Sequence, residues 1–405
     1  MFPRQESHPS ALLPPPPLAM LPFDFYSPTR IVFGPGRISL LGQRAADLNV
    51  RRALVVSDPG IVAAGHTQRG IASLEASGLV VKLFDSVAEN PTTAHVDVGL
   101  EVARDFQPDL IVGLGGGSSM DCAKGINFLY SCGGRMQDYW GEGKATGPLL
   151  PMIAVPTTAG TGSETQSYAL ISDAETRVKM ACGDKRAACR VAILDPELTV
   201  TQPSRVTALT GIDALAHAVE TYVTTRRNSI SLAFSREAWR HLAPNFARVL
   251  SEPENIEARG AMQLGACLAG LAIENSMLGA AHALANPLTA AYEIVHGEAV
   301  ALMLPHVVRH NGRHVDRYYG ELLACSGDGP WPAEVKKGEN GADSLANLLV
   351  ALGREAGLAG TLTECGVERA RIGELAAAAT KQWTGTFNPV EMTRDDFERL
   401  YEAAM

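Results

Sequence analysis

With 405 residues the chain exceeds the roughly 250–300 at which a single hydrophobic core stops growing, so two domains are expected. Hydrophobic residues at 46% and charged residues at 20% are the proportions of a soluble globular protein, and no apolar run approaches the roughly 20 residues of a membrane span. The 35 Lys and Arg against 44 Asp and Glu give a net charge of -9 with no long basic run, which excludes a nucleic-acid binder; seven cysteines without a Cys-x-x-Cys pair read as thiols of a reducing cytoplasm.

Residues 1–22 hold four consecutive prolines and lack the apolar core of a signal peptide, so a disordered, Pro-rich leader is expected there. From 23 to 203, short β-branched runs alternate with longer helical stretches, the pattern of βαβ units and a largely parallel sheet. The strand candidates are 53–57 (ALVVS), 80–85 (VVKLFD), 109–113 (DLIVG), 152–156 (MIAVP) and 191–194 (VAIL), most of them apolar throughout, as in strands covered on both faces. From 204 to 405 apolar residues recur at helical spacing, for example over 206–223 and 256–273, which predicts an all-helical domain. The polar stretch 327–343 reads as a surface loop between helices.

Two glycine-punctuated loops follow strand candidates. In DLIVGLGGGSSMDCAKGI, the chain passes from a strand through Gly115, Gly116 and Gly117 into Ser118 and then a helical pattern. Glycine lets the backbone approach a ligand closely, and the free amides of a helix N-terminus favour an anion such as a pyrophosphate. Ser118 stands where the third glycine of G-x-G-x-x-G would fall, so a turn needed only for packing stays open. The second loop, PTTAGTGSE, offers the hydroxyls of Thr157, Thr158, Thr161 and Ser163. Asp58, after the first strand candidate, is placed to bind a ribose hydroxyl and repel an extra phosphate, favouring NAD over NADP, unless it is only a turn aspartate beside Pro59 and Gly60.

In GIDALAHAVE, Asp213 and His217 stand four apart on a helical pattern and project from one face, where they can grip one ion or merely form a local pair. His282 and His296 lie in apolar surroundings, where an unpaired imidazole is costly. One carboxylate and three imidazoles suit Fe(II), Zn(II) or a similar divalent ion. His8, His66, His95, His241, His310 and His314 are expected at the surface, and His306 as a core histidine.

The order and spacing of GLGGGSSMDCAKGI, PTTAGTGSE, LDPELT, GIDALAHAVE, the stretch 282–296 with HGEAVALMLPHV, and Asn388–Pro389 resemble the iron-containing (group III) alcohol dehydrogenases, within the dehydroquinate synthase-like group. The resemblance implies an α/β N-terminal dinucleotide-binding domain and an all-α C-terminal metal-binding domain with catalysis in the cleft between them. It places Asp58, Asn90, Gly116, Gly117, Ser118, Asp121, Thr157, Thr158, Ser163 and Lys179 at NAD(P) contacts and Asp213, His217, His282 and His296 at the metal. Many members have a further His four residues after the third ligand, near the nicotinamide; here Asn286 occupies that position and cannot titrate near neutral pH. The expected activity is hydride transfer between an alcohol, or its aldehyde or ketone, and NAD(P), in a cytoplasmic homodimer or larger homo-oligomer. A polyol or glycerol-type dehydrogenase, a dehydroquinate synthase-like lyase and a non-catalytic relative are the alternatives.

Overall fold

The computed structural model describes residues 22–326 and 338–405. The leader before residue 22, and 327–337 of the expected loop, lie outside the described residues. The strands are β1 (Arg30–Phe33), β2 (Arg52–Val56), β3 (Val80–Phe84), β4 (Leu110–Gly115), β5 (Gly141–Glu142), β6 (Met152–Pro156), β7 (Tyr168–Ser172), β8 (Lys179–Gly183) and β9 (Val191–Leu194). Six of them form a parallel sheet in the order β1-β9-β6-β4-β2-β3, and β5-β8-β7 form a smaller sheet in which β7 and β8 run antiparallel.

β4, β6 and β9 are buried at every residue, in keeping with their unbroken apolar sequences. Their side chains alternate between two apolar layers, Ile111 and Ala154 on one face, Leu110, Val112, Ile153 and Val155 on the other. β3 departs from that pattern because it is an edge strand, with Val80 54% exposed. β1, β5, β7 and β8 were not anticipated by the run-based reading, being short or alternating.

From β2 the chain passes outward to β3, and β4 then returns to the other side of β2. That reversal is a topological switch point, and it opens a crevice beyond the carboxyl ends of β2 and β4. The helices around the sheet are α1 (Leu41–Ala46), α2 (Pro59–Ala63), α3 (His66–Ala76), α4 (Thr93–Phe106) and α5 (Gly117–Cys132). Asp195, of LDPELT, is fully buried and accepts from the amides of Gly36, Ile38 and Glu197, tying the end of β9 to the turn after β1.

After Leu194 the described residues hold no strand. The helices there are α6 (Ser204–Val223), α7 (Ser229–Ser251), α8 (Ile256–Ser276), α9 (Ala280–Tyr292), α10 (His296–Cys325), α11 (Gly341–Glu355), α12 (Ile372–Ala379) and α13 (Arg394–Ala404). α6 is buried on almost every side from Thr207 to Val223, as the central helix of a bundle must be. α8 and α9 meet at a bend of 104°; among the described residues no single helix is long and apolar enough to cross a membrane.

One face of α8 is fastened to the 156–167 segment after β6. Gln263 donates to the Pro156 carbonyl at 3.0 Å, Thr165 Oγ1 to the Cys267 carbonyl at 3.2 Å, and the Ser167 amide and hydroxyl to Glu274 at 2.9 and 2.7 Å. Between these contacts two glycines meet: a Cβ on Gly162, whose φ is +64°, would fall 2.6 Å from Gly270 Cα. Residues 263, 267, 270 and 274 are spaced 4, 3 and 4 apart, one helical face.

Candidate metal and cofactor cleft

A cleft of about 820 Å³ opens at the switch point and runs between the sheet and α6, α8, α9 and α10. Of the twelve cofactor-side residues named from sequence, all but Gly115 line it. Gly115 acts from behind: its φ of +154° is one that side chains rarely adopt, and a Cβ there would stand 2.4 Å from Ser119 Oγ. The strand can therefore turn directly into α5, whose first residues, Gly117 and Ser118, line the crevice. Asp58 accepts from the Ile61 amide at 3.1 Å and from Ser119 Oγ at 3.2 Å, so it caps α2 while lining the cleft. Asn90 has a positive φ of +52°, a conformation that Asn tolerates.

The second loop is held by a residue overlooked in the sequence. Lys124 is fully buried, and its ammonium lies 2.7–2.9 Å from the carbonyls of Ser163, Gln166 and Tyr168 and from Ser163 Oγ. Ser163 Oγ in turn donates to Asp121 Oδ1 at 2.7 Å. The signal was the position of Lys124, one turn of α5 after Asp121, where a long cation can reach the neighbouring loop. Thr157 Oγ1 is buried without a partner while its residue lines the cleft, an unmet hydrogen bond that a polar cofactor can satisfy.

Across the cleft, Asp213 and His217 from α6, His282 from the first turn of α9 and His296 from the start of α10 converge. Asp213 Oδ1 lies 3.4 Å from Nε2 of both His217 and His282 and 3.8 Å from Nε2 of His296. The Nε2 atoms of His217 and His282 are 3.1 Å apart. Asp213, His217 and His282 are nearly fully buried, and a quarter of the His296 side chain opens to the cleft. Burial alone would raise the Asp213 carboxyl, but the three imidazoles outweigh it and hold the group well below the usual carboxylate range. Burial pulls His282 down, and Glu220 and Asp213 outweigh it, lifting it to about 9; burial lowers His217 and His296.

Asp213 Oδ1 is buried without a hydrogen-bond partner even though three nitrogens surround it. A carboxylate oxygen left bare where the imidazoles of His217 and His282 crowd one point, with His296 standing farther off beside it, is a donor set fitting a divalent cation. Behind it stands Glu220, 4% exposed, with Oε2 2.5 Å from His282 Nδ1 and Oε1 accepting from the Ala281 amide at 2.7 Å. Glu220 was missed in the sequence, although its spacing from Asp213 and His217, seven and three residues, puts it on the same face of α6.

Other expectations are redrawn. Asn286 is not among the residues lining the cleft; its amide donates to Gln382 Oε1 at 3.0 Å. His66 is buried rather than at the surface, because the start of α3 packs inward and its Nε2 pairs with Thr201 Oγ1 at 2.8 Å. His95 closes a capping box with Thr92 at the start of α4. Among the remaining histidines, His314 is exposed, His241, His306 and His310 are half-buried, and His8 lies outside the described residues.

A parallel sheet that offers a glycine cradle at its switch point, facing an Asp/His cluster in a helical bundle, defines a two-domain class of α/β protein in which both elements share one cleft. The chain belongs to the iron-containing alcohol dehydrogenase family: residues 28–196 match its family "Iron-containing alcohol dehydrogenase" and residues 207–405 match "Fe-containing alcohol dehydrogenase family, C-terminal". It is 34% identical over 383 residues to alcohol dehydrogenase 4 of Schizosaccharomyces pombe, covering 94% of this chain and 89% of that one. Identity is 32% over 385 residues with the NAD-dependent methanol dehydrogenase of Bacillus methanolicus, covering 94% of this chain and all of the relative (100%). The crystal structure of a 1,3-propanediol oxidoreductase superposes with a TM-score of 0.89 at 33% identity, covering 95% of this chain and 100% of that one.

Proposed function

We propose that the chain oxidises a small alcohol, or reduces the matching aldehyde or ketone, using NAD and a divalent cation, Fe(II) before Zn(II), held by Asp213, His217, His282 and His296. The observation that carries this reading is the bare Asp213 Oδ1 among three imidazoles, in the same cleft as the glycine cradle. When bound, the cation supplies Lewis acidity toward the substrate oxygen and the nicotinamide accepts or returns the hydride. The protein's own part is positioning. The start of α5 and the hydroxyls of the 157–163 loop would hold the cofactor beyond the carboxyl ends of the strands, and Asp58, beside the first turn of α5, disfavours an extra phosphate. Ile273, Leu278 and Val295 line the helical side, where they exclude water and suit a short carbon chain. Asn286 does not line the cleft and cannot titrate near neutral pH, so it supplies no acid or base to the reaction.

The same reading divides the chain into a cofactor domain over 23–203 and a metal domain over 204–405, and takes it as a cytoplasmic homodimer or larger homo-oligomer. The seven free thiols support a reducing compartment. The test is NADH formation from a panel of short alcohols by metal-stripped protein, before and after adding Fe(II) or Zn(II). Turnover restored by an ion is expected; NADH binding without turnover under any ion would sink the reading.

A further inference from the structure

Resting on the metal reading above, we propose that Glu220 is the positioning residue of the centre: it fixes His282 in the tautomer whose Nε2 lone pair faces the ion, and it does so by serving at the same time as the cap of α9.

α9 begins in the protein interior, where the amides of its first turn have no partners within the helix. Two side chains meet them. Asn388 Oδ1 accepts from the Ala280 amide at 3.3 Å and Glu220 Oε1 from the Ala281 amide at 2.7 Å. A negative group is favoured at that end of a helix. The approach is close: a Cβ at residue 279 would stand 2.9 Å from Glu220 Oε1 and 3.2 Å from Asn388 Oδ1, so a larger residue there would push both caps aside. With Oε1 committed to the cap, Oε2 is held 2.5 Å from His282 Nδ1.

A carboxylate only accepts, so the Nδ1 beside it carries the hydrogen. The lone pair of the neutral ring is then on Nε2, which lies 3.4 Å from Asp213 Oδ1 and 3.1 Å from His217 Nε2, at the point where the cluster converges. One side chain on α6 thus joins the helix that carries Asp213 and His217 to the helix that carries His282, and sets which nitrogen of His282 is available.

Glu220→Gln separates the two roles. The glutamine oxygen has to serve the Ala281 amide, which leaves its NH₂ against His282 Nδ1; the ring then moves its hydrogen to Nε2 and loses the ligating lone pair. The alternative amide orientation leaves the Ala281 N–H unmet in the core. Affinity for Zn(II), measured by chelator competition, is expected to fall about 10- to 100-fold. The visible bands of the Co(II)-loaded protein should change with it. Asn388→Ala is the matched control: it weakens the same helix start through Ala280, so it should lower the metal-free melting temperature and leave Zn(II) affinity at the wild-type level.

Wild-type affinity in Glu220→Gln, or an equal loss of affinity in Asn388→Ala, overturns the proposal while leaving the metal centre standing. A wild-type protein with no measurable affinity for Zn(II), Fe(II) or Co(II) removes the centre itself. Where the glutamine variant does not fold, a crystal structure of the wild-type protein with Zn(II) decides: ligation through Nε2 with Nδ1 against Glu220 supports the assignment, and ligation through Nδ1 overturns it.

Discussion

The two walls of the cleft are built on different principles. On the cofactor side, each loop follows directly from a strand, and the two around β2 and β4 are shaped within a few residues, Gly115 by its φ of +154° and Asp58 by its cap on Ile61, while the loop after β6 is also held by Lys124 and α8. On the metal side, four side chains come from three helices, and nothing local brings His282 within 3.4 Å of Asp213. Turns fixed locally, as at Gly115 and Asp58, tolerate changes in packing elsewhere, whereas a site assembled from separate helices depends on how they dock.

The strongest way to break the comparison is to remove one wall and leave the other. His282→Ala takes away a donor that no neighbour replaces, and kcat/KM for alcohol oxidation is expected to drop by about 1000-fold, several kcal/mol of transition-state stabilisation. NADH binding, followed by its fluorescence, should stay at the wild-type level; a parallel loss of NADH affinity would mean the walls are not independent. Next comes the seam. Gly162→Ala combines a positive φ of +64° with a Cβ 2.6 Å from Gly270 Cα, so it should cost about 2–4 kcal/mol in chemical denaturation. A variant as stable as wild type would show that the loop yields.

Glu164 offers a test by pH. Burial lifts its carboxyl to about 7 from an ordinary 4.5. A carboxyl raised in the folded state favours folding while protonated, so that advantage is present at low pH and declines as pH climbs from about 4.5 through 7. Glu164→Gln should therefore gain stability relative to wild type with rising pH, reaching about 3 kcal/mol at pH 8. A difference that does not vary with pH would count against a charge being buried there. The smallest effect is expected at Asp58. Asp58→Asn keeps an acceptor for the Ile61 amide and removes the charge, and the ratio of kcat/KM with NADP to that with NAD should rise about tenfold, roughly 1.4 kcal/mol of discrimination. No change in the ratio would return Asp58 to the role of a turn aspartate.

The same contrast governs what could be read in advance. The strand–glycine–helix sequence around 110–118 and the Asp213/His217 spacing are local signals, and both elements form as read. β7 and β8 escaped because their residues alternate between partly and fully buried in a small sheet where the two strands run antiparallel. Lys124 and Glu220 were visible as residues but not as participants. Their partners lie far along the chain, 39–44 residues away for Lys124 and 61–62 for Glu220, and only the packed fold shows which acceptors a buried cation meets or which helix end a carboxylate reaches. His66 was misjudged for the same reason, since its Thr201 partner is 135 residues distant. Asn286 was singled out by resemblance, and its bond to Gln382 comes from a segment that local pattern does not link to α9.

The row of contacts between α8 and the 156–167 segment bears on how this molecule can be recombined. A chimaera that takes everything up to the link between β9 and α6 from one parent and the remainder from another cuts across all of them at once: Gln263 against Pro156, Cys267 against Thr165, Gly270 against Gly162 and Glu274 against Ser167. The natural border between strands and helices is thus the wrong place to splice. The 156–167 loop and α8 have to be inherited from the same parent, and the two glycines exchanged only as a pair.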